Sequence, residues 1–191
     1  MKHKNLKKVP NYLTVLRLLL VPIIIALSYT TNKYYLSAAL ILFVVATFTD
    51  WADGFLARRY NLITTFGTFF DPMVDKILIL GIYFLFVDLG LLPLWMVLLL
   101  LFREFFVSGI RQVCSEKKMI VGANWMGKSK FTMQVIIILF VQLHLIVNSA
   151  GYAIPFGEQI IYYAALIMTL ISLGYAINFM LWNRKVLFKD L

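Results

Sequence analysis

Six long apolar segments leave this chain few ways to fold. They run roughly Leu13–Tyr29, Tyr35–Ala57, Pro72–Val87, Leu91–Val113, Phe131–Val147 and Phe156–Trp182, within 191 residues. A helix crossing ~30 Å of hydrocarbon needs ~20 mostly apolar residues. Lipid offers the backbone no hydrogen-bond partners, so such runs are read as helices that satisfy themselves. Hydrophobic residues make up 62% of the chain, above the roughly half expected of soluble domains. The spans leave no room for a separate soluble domain. The expected fold is all-α and integral to the membrane, with six transmembrane helices in one domain over residues 1–191.

The connectors alternate in charge. MKHKNLKK, ARRYNLITTFG, CSEKKMIVGANWMGKSK and NRKVLFK carry nearly all the Lys and Arg, while SYTTNK, DLGLLP and NSAGYAIPFGE contribute only Lys33. An even number of spans puts both termini on one side, and the positive-inside rule makes that side cytoplasmic. The formal net charge of +9 is thereby explained by loop bias and attraction to anionic headgroups. A chain this apolar offers no soluble basic face, which argues against nucleic acid as a partner. Arg17 interrupts the first apolar run and no small-residue cleavage site follows, so a retained first span is expected rather than a signal peptide. The single Cys114 is read as core filler.

The stretch from Asp50 to Asp75 holds four of the nine acidic residues. Asp50, Asp53, Gly54 and Ala57 stand at i, i+3, i+4 and i+7, which is one helical face. Gly67, Asp71 and Asp75 stand at i, i+4 and i+8, again one face. The connector between the two segments is short, so the helices are expected as antiparallel neighbours with both acidic rows at the cytoplasmic end. Acids near a membrane core are costly and mark function by default. Converging carboxylates repel unless some stay protonated or cations neutralise them. Oxygen-rich sites suit Mg²⁺, Mn²⁺ or Ca²⁺; two divalent ions would balance four carboxylates and would polarise a phosphoryl oxygen while activating an attacking one. Gly54 and Ala57 remove bulk beside the acids, and Arg58 and Arg59 follow where phosphate oxygens would be held.

These residues resemble the signature of the CDP-alcohol phosphatidyltransferases. The pattern D-x-x-D-G-x-x-A-R-x8-G-x3-D-x3-D is met in full by Asp50, Asp53, Gly54, Ala57, Arg58, Gly67, Asp71 and Asp75. Asn11, Thr14 and Arg17 with Pro22, the run Arg103–Arg111, and Trp125, Gly127, Lys128 and Lys130 are similar to the phosphatidylglycerophosphate synthase branch. That branch often reads G-K-x-K-T; here Phe131 follows Lys130 and the threonine is Thr132. The resemblance implies six transmembrane helices, a short amphipathic N-terminal helix near Lys2–Val9 lying at the interface, and a homodimer among membrane lipids. It implies CDP-diacylglycerol as donor, sn-glycerol 3-phosphate as acceptor, and phosphatidylglycerophosphate and CMP as products. By position it makes Asp50, Asp53, Asp71 and Asp75 the ligands of Mg²⁺ or Mn²⁺, two ions in all. Asp75 doubles as general base. The CDP site is assigned to Asp53, Gly54, Ala57, Arg58 and Gly67.

The acceptor's phosphate requires cations. Arg111 and Lys128 are the first candidates, with Lys130, Arg103, Arg17 and Thr14 as further ones; Arg103 is expected to pair with Glu104 or with another span. Two other readings share these residues. The same family serves other acceptors, such as serine, inositol or phosphatidylglycerol. A divalent-cation transporter would also gather carboxylates, although near the midplane and often on broken helices. The run Gly122–Ser129 matches the phosphate-loop pattern G-x4-G-K-S but lacks the preceding strand that the loop needs. His144, inside an apolar span, is expected as a helix–helix hydrogen-bond partner.

Overall fold

The computed structural model describes the backbone of residues 9–59, 65–116 and 125–184, and the side chains of these except at 9–11, 50–59, 65–66, 68–69, 115–116 and 125–129. Among the described residues there are six helices and no strand: α1 (Val9–Ser28), α2 (Lys33–Arg59), α3 (Thr65–Asp88), α4 (Leu94–Glu116), α5 (Trp125–Ser149) and α6 (Gly157–Trp182). Each falls on one of the six apolar segments. Of the expected interfacial helix, Val9 belongs to α1 and the rest lies outside the described residues.

Helices of 20 to 27 residues rise at ~1.5 Å per residue, enough for the hydrocarbon thickness. Among the described residues, Lys130–Ser149 and Gly157–Trp182 qualify on their own by length and composition. The expectation of six spans thus stands as six helices, two of them apolar enough to cross alone. For α3 and α4 the reason is chemical. Asp71, Asp75 and Lys76 in α3, and Arg103, Glu104 and Arg111 in α4, interrupt the apolar windows.

The surface is inverted relative to a soluble protein. Leu19 and Ile23 of α1, Ile41 and Phe48 of α2, Phe102 and Phe105 of α4, and Leu170 and Ile177 of α6 are exposed. Thr14, Arg17, Arg103, Glu104, Gln134, Gln142 and His144 are buried. Apolar patches of that extent belong against lipid, and buried polar groups belong with partners. The chain is a membrane protein. Hydroxyls that lack distant partners bond back to their own helix, as Ser28 Oγ does to the Ile24 carbonyl at 2.8 Å and Thr169 Oγ1 to that of Ala165 at 2.7 Å.

The helices pack as two compact units, Met1–Leu85 with Val141–Pro155 and Phe86–Phe140 with Phe156–Leu191. In the first, α1 packs along α2. The buried stripe of α1 reads Thr14, Arg17, Val21, Ile24 and Ser28, and that of α2 reads Ala39, Phe43 and Ala46. Small residues in such stripes let helices approach closely. Gly81 of α3 serves the same end, since a Cβ there would stand 3.4 Å from Ile25 Cδ1 and 3.5 Å from Val21 Cγ1. In the second unit α4 packs along α6, with Val107, Ile110 and Cys114 against Tyr175, Ala176 and Phe179. Cys114 is buried and free, the filler its sequence context suggested. Two glycines close helix ends with left-handed backbones: Gly90 (φ 72°) after α3 and Gly151 (φ 84°) after α5. Beyond each, an N–H reaches back into the last turn, from Leu91 to the Phe86 carbonyl at 2.9 Å and from Tyr152 to that of Val147 at 3.1 Å, a glycine-capped end.

Candidate active site

The N-terminal half of α3 carries Gly67, Asp71 and Asp75 along one face, and α1 meets that face with two of its buried polar residues, Thr14 and Arg17. Thr14 Oγ1 donates to Asp71 Oδ1 at 2.5 Å. Arg17 Nη1 donates to Asp75 Oδ1 at 2.7 Å. The two contacts run in step: Thr14 and Arg17 are three apart on α1, and Asp71 and Asp75 are four apart on α3, each about one turn. Arg17 is 2% exposed and Asp75 29%. The cation is therefore sealed inside the helix pair while its carboxylate keeps an open side. Charge-assisted bonds of this length are among the stronger polar contacts available to a side chain.

This is a different task for Thr14 and Arg17 from the acceptor-phosphate role their sequence context offered. They hold carboxylates. Each contact is made through Oδ1, and an ionised carboxylate has two oxygens with about four acceptor sites. Asp50, Asp53, Gly54, Ala57 and Arg58 lie in the continuous helix α2, which keeps Asp50, Asp53, Gly54 and Ala57 at the spacing of one face; the side chains of all five lie outside the described residues. Among the described residues no cluster of three Asp, Glu, His or Cys is assembled. Asp71 and Asp75 are the part of the acidic set that is described.

The second unit holds the cations of α4. Arg103, 4% exposed, donates from Nη1 to Glu104 Oε1 at 3.3 Å and from Nε to the Ser172 carbonyl of α6 at 3.3 Å. Its guanidinium lies over the Tyr175 ring, 5.2 Å from the centroid. Lys130 of α5 forms an ion pair with the same Glu104 oxygen. Arg103 thus pairs with Glu104 and also ties to another helix, both alternatives its sequence position raised. Arg111 is exposed and lies over Phe179, 5.8 Å from the ring centroid. Lys128 lies outside the described side chains.

Ser172 and Tyr175 escaped sequence reasoning. They sit in an apolar segment whose only legible signal is hydropathy, and their relation to Arg103 requires a contact 69 residues away. His144 is corrected: its Nε2 is 3.0 Å from Asn148 Nδ2, one turn along the same helix, instead of bridging two helices. A partner at i+4 satisfies a buried ring nitrogen without any neighbouring helix.

The sequence profile of the CDP-alcohol phosphatidyltransferases matches residues 7–177. The chain belongs to that family. The match spans α1 through most of α6 and includes every residue of the carboxylate rows. Among curated members, a protein of Rickettsia typhi named CDP-diacylglycerol–glycerol-3-phosphate 3-phosphatidyltransferase is 36% identical over 174 residues, covering 89% of this chain and 96% of the relative. Proteins of the same name from Bacillus subtilis (36% identical, 71% of this chain and 76% of the relative) and Escherichia coli K12 (34%, 80% and 87%) are similar as well. Family membership also disposes of the phosphate-loop pattern: Trp125–Ser129 opens α5, and no strand exists among the described residues to carry such a loop.

Proposed function

We propose that this chain transfers the phosphatidyl group of CDP-diacylglycerol to sn-glycerol 3-phosphate, yielding phosphatidylglycerophosphate and CMP. The observation that carries this reading is the intact eight-residue signature inside a family match over 7–177, shared with relatives that bear that reaction in their names. The acceptor's hydroxyl oxygen bonds to the phosphorus that carries diacylglycerol, the bond from that phosphorus to the CMP oxygen breaks, and the hydroxyl proton passes to Asp75.

Asp75 suits the base's part. It is partly open, and Arg17 holds it from one side at 2.7 Å. Thr14 fixes Asp71 beside it. The donor set is hard oxygen, which fits Mg²⁺ or Mn²⁺. Asp50, Asp53, Asp71 and Asp75 would hold two such ions, which supply charge neutralisation at the phosphoryl oxygens when bound. Asp53, Gly54, Ala57, Arg58 and Gly67 would receive the CDP moiety, with Arg58 on phosphate oxygens. Arg111, exposed and without a carboxylate partner among the described residues, would take the acceptor's phosphate together with Lys128, while Arg103 and Lys130 are committed to Glu104.

In the same reading the protein works as a homodimer in the cytoplasmic membrane, with six spans, an interfacial helix near Lys2–Val9, and both termini and the site toward the cytoplasm. Donor acyl chains then stay in the bilayer while the nucleotide stays in water. The test is an acceptor panel. Purified protein with CDP-diacylglycerol should release CMP with glycerol 3-phosphate and not with serine, inositol or phosphatidylglycerol. Release with one of those alone would reassign the acceptor, and ion uptake into proteoliposomes without CMP release would restore the transporter reading.

A further inference from the structure

Glu104 is buried in the second unit, 8% exposed, and holds cations from two helices. Its neighbour Arg103 on α4 donates from Nη1 to Glu104 Oε1 at 3.3 Å, and Lys130 of α5 forms an ion pair with the same oxygen. Arg103 is in turn fixed to α6, by its Nε bond to the Ser172 carbonyl and by the Tyr175 ring. The chain of contacts therefore runs from α6 through Arg103 and Glu104 to the beginning of α5. A buried carboxylate is costly unless it is paired, and this one is paired both along its own helix and across to the next.

Packing is open beside this ion pair. A cavity of about 310 Å³ is lined by Arg103 of α4, by Lys130 and Met133 of α5, and by Met168, Ser172 and Tyr175 of α6. Side chains that border a void lose dispersion contacts on that side, so a directed contact such as Lys130–Glu104 has more to do in setting where α5 stands. The two residues assigned to the acceptor's phosphate depend on that setting. Arg111 stands seven residues after Glu104, two turns further along the same face of α4. Lys128 stands two residues before Lys130 in α5. The ion pair thus joins the helix of one phosphate-binding residue to the helix of the other.

We infer that Glu104 is a positioning residue for the acceptor: through Lys130 it holds the first turns of α5, and Lys128 with them, at the separation from α4 at which Lys128 and Arg111 grip one phosphate. The inference rests on the acceptor-phosphate assignment of Arg111 and Lys128 made above. Glu104 does not touch the acceptor, since a carboxylate beside a phosphate adds like-charge repulsion. Two cations carried on separate helices bind one anion well only at the right spacing, and a misplacement of about 1 Å costs up to a hundredfold. A residue that only stabilised the fold would, when lost, weaken the use of both substrates alike. A positioning residue of this kind raises the KM for the acceptor and spares the KM for the lipid.

The test is a double-mutant cycle in the full-length protein purified in detergent, read as CMP release with glycerol 3-phosphate and CDP-diacylglycerol each varied. Glu104→Gln and Lys128→Ala should each raise the KM for glycerol 3-phosphate about tenfold and leave that for CDP-diacylglycerol within about twofold. Combined, they should raise it little beyond either alone, because the placement of Lys128 stops mattering once Lys128 is gone. Glu104→Asp, which keeps the charge, should recover most of the loss. If Glu104→Gln does not fold, Lys130→Met breaks the same pair from α5, leaves Glu104 on Arg103, and takes its place in the cycle with the same expectation. Effects that multiply in the double variant, or equal rises in KM for both substrates, would overturn the inference. A parent-like KM in Glu104→Gln beside a raised one in Lys128→Ala would end it and leave the acceptor site standing. A parent-like KM in Lys128→Ala would remove that residue from the acceptor site and take the inference with it.

Discussion

The α1–α3 contact and the α4–α6 contact both bury an arginine, and they use it in opposite ways. On α1, Arg17 is sealed while its partner Asp75 stays 29% exposed: the cation supports and the anion is presented. On α4, Arg103 and its neighbour Glu104 are both buried, the anion is shared with Lys130, and both cations line a cavity: the anion supports and the cations are presented. Burying a charge in either place is costly unless it is paired. Which member of the pair keeps an open side decides what the site can attract. The first arrangement suits cations and protons; the second suits anions.

Substitutions sharpen this contrast, and the largest effect is expected where the presented group does chemistry. Asp75→Asn keeps the shape and removes the base, so CMP release should fall by about a thousandfold while the protein still inserts and purifies as a discrete species. Turnover near that of the parent protein would break the assignment of Asp75. Arg17→Gln removes the support and leaves Asp75 without its cation. We expect kcat to fall about a hundredfold and stability by roughly 2 kcal/mol, less than for a fully buried pair because Asp75 reaches solvent; Arg17→Lys should recover part of both. A loss in KM for glycerol 3-phosphate alone would instead return Arg17 to the acceptor pocket. Arg111→Ala should raise the KM for glycerol 3-phosphate about tenfold and leave that for CDP-diacylglycerol nearly unchanged, since one charge-assisted contact is lost. An equal rise in both would remove Arg111 from that role. Thr14→Val is the mildest: one hydrogen bond of about 1 kcal/mol, and a several-fold loss in kcat without a change in acceptor KM.

The helices were largely legible in the sequence, and the discrepancies are instructive. The last one was expected at Phe156–Trp182 and is found at Gly157–Trp182, since it is apolar throughout. The third was expected from Pro72 and begins at Thr65; the fifth was expected from Phe131 and begins at Trp125. In both cases the added turns carry motif residues, Gly67 and Asp71 in one and Gly127, Lys128 and Lys130 in the other. Hydropathy reports the surrounding solvent, whereas the helix follows backbone hydrogen bonds that continue past the lipid. Spacing along one helix likewise placed Asp71 with Asp75 on one face. It could not say that Thr14 and Arg17 meet them, because that depends on how α1 is rotated against α3, and no local pattern encodes the rotation. Glu104 beside Arg103 was visible as an adjacent pair; the Ser172 carbonyl and the Tyr175 ring were not, being held in an otherwise uniform apolar run.

The Arg17–Asp75 pair also bears on how the protein is made. Its partners lie 58 residues apart, so the first helix leaves the ribosome well before the third. Until then it carries a guanidinium that lipid accepts only at a cost of roughly 2.5–3.5 kcal/mol. Newly made α1 therefore has reason to linger beside the insertion machinery, and release into the bilayer becomes favourable once Asp75 arrives to neutralise it. A residue that holds Asp75 in the finished protein thus gives α1 and α3 a reason to leave that machinery together.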